Sequence, residues 1–437
     1  MRRAAGRCLP PLAAVALCLA ASPALAFHGG GAGECDGCHS MHDSNDGVSG
    51  PGPRGGYLLK ASDPSSVCLN CHQAQGDIGP VGYHISTAEA DMPPGLPPRQ
   101  MAPGGDFGWL KKTFQWTTRP GTPLQTSPGE RHGHSIVALD YGYSSDSRSF
   151  TAPGGTYPSA NLSCVSCHDP HGKYRRFADG SVGTSGLTVL GSGSQASGTD
   201  PVAGVGAAGV YRMLGGVGYQ PRSLSGALAF QNPPPAAVAP NTYNRRETTT
   251  QTRVAYGRDM SEWCANCHPR LLVSGVTEQM SGLRHPAGNG AILGATMSRN
   301  YASYLRTGKL TGFASQSYLS LVPFEEGHAD YTRLKAHARS DDLYLQGPDD
   351  VSTVMCLTCH RAHASGFDGA LRFRARGAEF ITVGDTVSGA RYPDPLAEPA
   401  VAEGRTQAET RASYYDRPAT VFSPFQRSLC NKCHVKD

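Results

Sequence analysis

The sequence predicts a mostly irregular, loop-rich fold with few short α-helices and little β structure. Three observations predict it. The 54 Gly and 33 Pro make up about one fifth of the 437 residues, against roughly 12% in an ordinary chain and below the roughly 25–30% that signals disorder. Charged residues are only 17%, under the usual share of about 25%. Twelve of the 14 Cys fall into one short motif repeated six times along the chain. Such a chain folds, but with long irregular connections rather than as a compact enzyme of regular helices and sheets.

The first 26 residues read as a secretory signal. Arg2, Arg3 and Arg7 form a basic start, Leu12 to Ala21 an apolar run, and Ala24-Leu25-Ala26 a small-x-small cleavage site. The run is too short to span a bilayer, and no later segment approaches the roughly 18 apolar residues a span needs. Cleavage leaves residues 27–437 as a single domain and removes Cys8 and Cys18. It also removes three Arg, so the formal charge of +4 falls to about +1. A near-neutral chain carries no electrostatic footprint for nucleic acid.

All twelve remaining cysteines sit in Cys-x-x-Cys-His. The six copies are Cys35/Cys38/His39, Cys68/Cys71/His72, Cys164/Cys167/His168, Cys264/Cys267/His268, Cys356/Cys359/His360 and Cys430/Cys433/His434. This is the attachment signature of c-type haem. The two thiols add across the porphyrin vinyl groups, and the following His becomes the proximal iron ligand. Short-range disulfides or zinc knuckles would not require a His after every second Cys. Six covalent haem c groups are therefore expected.

The motifs run from residue 35 to residue 434, with about 69 residues of processed chain for each. That is too little for six separate pockets, given about 100–150 residues in a typical domain. The haems must share walls, so the chain is expected to wrap around a continuous haem stack. Met92 to Gly105, Gly180 to Gly209 and Asn232 to Asn241 read as wrapping segments without regular elements. Helices are expected at the motifs and over Ala291–Thr307, Ala329–Leu345 and Thr406–Tyr415, the last with a Thr406/Glu409 capping box. Gly204 to Gly209 matches a dinucleotide-binding pattern literally, but lacks the strand before it and the helix after it.

Ten of the 16 His are left to supply sixth ligands, enough for a bis-His state at every iron. Met41 and Met355 are rival ligands that would raise the potential. His42, His171 and His363 each lie three residues after a proximal His, in Cys-His-x-x-His. A residue there cannot reach the far face of its own haem, so as a ligand it must serve a different one. The competing reading is a solvent-facing or propionate-bonded His. His134 and His285 have small neighbours that let a planar group approach, and both are taken as distal ligands. His84 and His337 compete for the remaining place, with His28 a further alternative. His132 and His328 are assigned other roles.

The stretches "FHGGGAGECDGCHSMH", "YHISTAEADMPPG", "GGDFGWLKKTF", "CHDPHGKYRRF", "MSEWCANCH", "LRHPAGNGA", "CHRAHASGFD" and "LCNKCHVKD" resemble the OmcS-type outer-surface hexahaem cytochromes of metal-reducing bacteria. The resemblance spans the processed chain and is weakest around 180–209 and 384–405. It implies a head-to-tail filament outside the cell, with bis-His haems in closely stacked pairs, alternately parallel and roughly perpendicular. It also implies that His42 ligates a haem of the neighbouring subunit, the one proximal to His360. Partners would be further copies of the chain, other c-type cytochromes, and extracellular metal oxides or other electron acceptors. Two rival functions remain at this point: a multihaem reductase with one open iron, and a monomeric periplasmic shuttle. With two propionates per haem, the loaded subunit would carry about −5 oxidised and about −11 reduced, so electron loading calls for protons or cations nearby.

Overall fold

The computed structural model describes residues 35–40, 58–73, 83–221, 228–241, 252–272, 287–303, 312–315, 323–374, 383 and 391–419. The signal segment, Met41, His28, His42, His285, Cys430, Cys433 and His434 lie outside them. Irregular backbone dominates, as expected. The helices are α1 (Cys35–Cys38), α2 (Pro64–His72), α3 (Met260–Cys264), α4 (Gly294–Ser303), α5 (Tyr331–His337), α6 (Cys356–Cys359), α7 (Pro399–Ala402) and α8 (Gln407–Ser413). Four of them carry haem motifs, and Cys164–Ser166 forms a 3-10 turn at a fifth.

Helix ends follow local chemistry. Asp63 caps α2 by accepting from the Ser66 amide, and Pro64 supplies a pre-set φ at the first position. Thr406 and Glu409 form the capping box of α8, each side chain satisfying the other's backbone N–H. Asp330 caps α5, but this helix stops at His337, well short of Leu345. The reason is tertiary: Ala338 turns extended, and the carbonyl of Arg339 accepts from the Arg253 amide at 2.7 Å. Within the described residues, α4 runs from Gly294, whose φ is +66°, to Ser303.

Strands are short: β1 (Phe114–Trp116), β2 (Gln125–Ser127), β3 (Arg175–Arg176), β4 (Val182–Gly183), β5 (Thr188–Gly191), β6 (Gly206–Gly209), β7 (Ala236–Val238) and β8 (Ala255–Arg258). Two expectations are corrected here. The Gly/Ser-rich stretch 180–209 is not structureless, because it supplies β4, β5 and β6 of a four-stranded sheet ordered β4-β3-β6-β5. Glycine enables the pairing: a Cβ on Gly209 would lie 2.5 Å from the Ser192 carbonyl oxygen. The dinucleotide-like pattern therefore ends in a buried strand rather than a phosphate loop. Likewise, 232–241 contributes β7, antiparallel to β8.

The apolar core is divided among small clusters beside the motifs. One gathers Tyr211, Leu214, Tyr256, Met260 and Met355 against Trp263 and Leu357, which lie in or next to two Cys-x-x-Cys-His motifs. Met355 is thus a core residue. A second gathers Leu69, Phe107, Ile136 and Tyr143. Among the described residues no helix is long and apolar enough to cross a membrane.

Candidate haem-binding centre

The five described motifs are neighbours in space in the order they have in sequence. The Cys68 and Cys164 thiols share a hydrogen bond, which raises the pKa of Cys68 and lowers that of Cys164. Cys264 and Cys356 form a second such pair, with Cys264 raised and Cys356 brought down to about 7. Burial and then nearby Cys71 raise Cys38; burial and then nearby Cys267 raise Cys167. The two thiol pairs are built alike. Ser65, three residues before Cys68, accepts from the Cys164 amide at 3.1 Å. Ser261, three residues before Cys264, accepts from the Cys356 amide at 3.0 Å.

The first, third and fifth motifs share another device. After its His, each pairs with a later leucine: His39 with Leu59, His168 with Leu214, His360 with Leu371. The amides of Ser40, Asp169 and Arg361 donate to the carbonyls of Leu58, Met213 and Ala370, each at 2.7 Å. Those three residues have φ of 56°, 52° and 54°. This left-handed region is costly for residues other than glycine, and strain of this kind persists only where its surroundings impose it. Sequence reasoning missed this device, since nothing in Leu58, Met213 or Ala370 signals positive φ.

The proximal imidazoles are oriented by their Nδ1 atoms. Nδ1–H of His72, His168, His268 and His360 points at the carbonyls of Tyr83 (2.6 Å), Arg212 (2.7 Å), Pro153 (2.8 Å) and Gly369 (2.7 Å). His134 does the same toward Ala362 at 2.6 Å. Such bonds fix the tautomer and leave Nε2 for a metal.

Three histidine pairs face one another. Ring centroids are 6.4 Å apart for His39 and His171, 6.0 Å for His134 and His268, and 6.5 Å for His168 and His363. Two metal–nitrogen bonds of about 2 Å each, plus roughly 1 Å from each nitrogen to its ring centre, require about 6 Å. The gap therefore fits one iron between each pair. Although the His134 ring is still open to solvent, the protein packed around it, and then His268, push its pKa down; the protein around half-buried His363, then His168, push it down to about 3. Both are thereby neutral at ordinary pH, the form that ligates.

One segment serves three of these centres. Residues 363–365 run between two loops, with His363 N–H bonded to Gly104 O (2.6 Å), His134 N–H to His363 O (2.9 Å) and Ser365 N–H to His132 O (2.9 Å). Glycines make the approach possible: a Cβ on Gly105 would lie 1.7 Å from Ala364 O, and one on Gly133 would lie 2.2 Å from His363 O. His360, the Ala362 carbonyl that orients His134, and His363 all lie within residues 360–365.

The other candidates divide by their ring nitrogens. His132 is buried and bonded through both, to Ser127 Oγ (2.9 Å) and Trp109 O (3.0 Å). His328 uses both as well, on Glu326 Oε2 (3.1 Å) and the Asp330 amide (3.2 Å). The Nε2 of buried His84 lies 3.1 Å from Thr87 Oγ1. His337 binds Glu326 through Nδ1 at 2.7 Å and stacks on Tyr344 at 4.0 Å, in the same Nδ1-anchored manner as the proximal histidines.

A chain whose five described motifs stand in file, with histidines paired across iron-sized gaps, is organised for covalent haem. It is 56% identical to the C-type cytochrome OmcS of Geobacter sulfurreducens, over 98% of both chains. The chain belongs to the OmcS family of c-type cytochromes. Its fold matches two solved structures of OmcS filaments from Geobacter sulfurreducens, one of them described as nanowires. Each match has 57% identity and covers 94% of this chain and 100% of the other, with TM-scores of 0.87 and 0.86. No family model matches the chain. The loop-rich fold class read from the sequence agrees with this family.

Proposed function

We propose that this protein carries electrons outside the cell as a head-to-tail filament of hexahaem subunits, with every iron bound by two histidines. The six Cys-x-x-Cys-His motifs would attach six haems, which supply one-electron redox chemistry when bound. The chain holds them in file, excludes water and blocks open coordination positions. The observation that carries the reading is the histidine pairing. His39 with His171, His134 with His268, and His168 with His363 would ligate the haems of the first, fourth and third motifs. For the second and sixth, His285 and His337 are the favoured donors, since Thr87 engages the Nε2 of His84.

The same pairing supports an intersubunit bond. The fifth motif's second His (His363) faces the third motif, and the third motif's second His (His171) faces the first. Continuing the series, His42 of the first motif needs an odd-numbered motif beyond its own. Among the described residues no second histidine ring faces His360. A bond from His42 to the haem at His360 of the next copy completes both. Such a heterologous contact does not close on itself and extends into a fibre.

Filling both axial positions of every iron leaves no site for a substrate, so conduction is preferred over catalysis. The acceptors would be metal oxides or other cytochromes at the cell exterior. Two measurements test this. Electron paramagnetic resonance of the oxidised protein should show only low-spin haem, and negative-stain microscopy of the extracellular fraction should show filaments. One stoichiometric high-spin haem would favour a reductase; dispersed particles would favour a shuttle.

A further inference from the structure

We propose that Glu325 is a proton site coupled to the redox state of the haems carried by the fourth and fifth motifs, a proposal that rests on the electron-conducting reading above. Reduction adds one electron at an iron of this pair. One proton from bulk water then forms one O–H bond on the Glu325 carboxylate, and reoxidation releases both. No other bond changes, and the net charge of the region is held constant.

Placement carries the proposal. Glu325 is 0% exposed. One carboxylate oxygen accepts from the Met260 amide at 2.6 Å, the other from Thr353 Oγ1 at 2.9 Å. Met260 opens α3, which ends at Cys264, and Thr353 stands three residues before Cys356. The carboxylate thus joins the two segments that lead into adjacent motifs whose thiols are in contact. Its negative charge is felt at Cys264.

Among the described residues no cation pairs with its charge. The neighbouring Glu326 points to the other side of an extended segment. There it meets Arg253 at 2.8 Å, His337 at 2.7 Å and His328 at 3.1 Å. Those cations and donors serve Glu326 and keep it ionised. Facing Glu325 are Asp259 and Glu262 from α3 and its cap, both of which oppose ionisation. Tyr256 of β8 runs alongside it, and the Thr353 hydroxyl comes from the 353 side. Burial, opposed in part by the two hydrogen bonds, moves this carboxyl up to about 7. A group poised there exchanges its proton when a nearby charge changes by one.

The test is a spectroelectrochemical titration of the intact haem-loaded protein between pH 6 and pH 8, joined to reduced-minus-oxidised infrared spectroscopy. In the wild type, two of the six haem potentials should fall with rising pH. Reduction should also produce a protonated-carboxyl C=O band that shifts in D2O. Glu325→Gln should abolish the band and flatten those two potentials, while Glu325→Asp should retain both effects. Unchanged pH dependence in Glu325→Gln would overturn the proposal. Should that variant fail to mature, absence of the band in the wild type overturns it equally. Failure of the conducting reading would show separately, as a high-spin haem or as absence of filaments.

Discussion

The rings of His168 and His363 face each other with centroids 6.5 Å apart and planes at 66°, although 195 positions separate them in sequence. His168 closes the third motif, and His363 trails the fifth. If one iron joins them, His363→Ala should leave one haem of six five-coordinate, seen as one equivalent of high-spin signal with all six haems still attached. His363→Met should keep that haem low-spin and raise its potential. Six unchanged low-spin signals in the alanine variant would exclude the pairing.

Gly105→Ala should be among the most damaging single-methyl additions. The φ of Gly105 is +98°, and the added Cβ would meet Ala364 O at 1.7 Å. Backbone must move, and the segment that moves carries His363. Loss of several kcal/mol is expected, read as a lower melting temperature together with disturbed low-spin spectra. Gly121→Ala is the control: its φ is +81°, yet a Cβ there meets nothing within 4 Å, so the loss should be about 1 kcal/mol.

Ser65→Ala and Ser261→Ala should behave alike, because each removes the acceptor for the amide of the next motif's first cysteine. Each should cost on the order of 1 kcal/mol, somewhat more where the amide stays buried. Denaturation of the two variants checks this, and a large difference between them would break the equivalence of the two motif pairs.

Glu325 also makes a prediction for stability. Its carboxyl is raised from 4.5 to about 7, so the folded protein binds this proton more tightly than the unfolded chain. Its contribution is fully present below about pH 4.5 and is lost as pH rises through 7. Relative to the wild type, Glu325→Gln should therefore gain stability between pH 5 and pH 8, by up to about 3 kcal/mol. Melting temperatures of both proteins across that range supply the comparison.

His42→Ala should spare haem attachment, leave one iron without its sixth ligand and weaken polymerisation. Filaments of normal length with six low-spin haems would exclude the bond between subunits.

The haem motifs, the loop-rich class and the α8 capping box were legible because each is a local pattern with a chemical cause. The expectation that a His three residues past a proximal His serves a different haem accords with where two such rings lie, His171 facing His39 and His363 facing His168. Which motif each would face was not legible, because His171 and His363 meet His39 and His168 through tertiary folding over more than a hundred residues. The sheet in 180–209 was hidden for the opposite reason: Gly206 and Gly209 lack strand propensity and pair because nothing bulkier fits. The left-handed turns at Leu58, Met213 and Ala370 are imposed by the bridges they close, not by residue type.

The sharing of residues 360–365 among three centres also orders maturation in time. A polypeptide emerging N-terminus first presents His39 a full 132 residues before His171, and His168 a full 195 before His363. With irons held between these pairs as proposed, early porphyrins would wait half-ligated for chain not yet delivered. The finished conductor locks only when its last third arrives, so truncated products would be spectroscopically conspicuous and open to scavenging by small ligands.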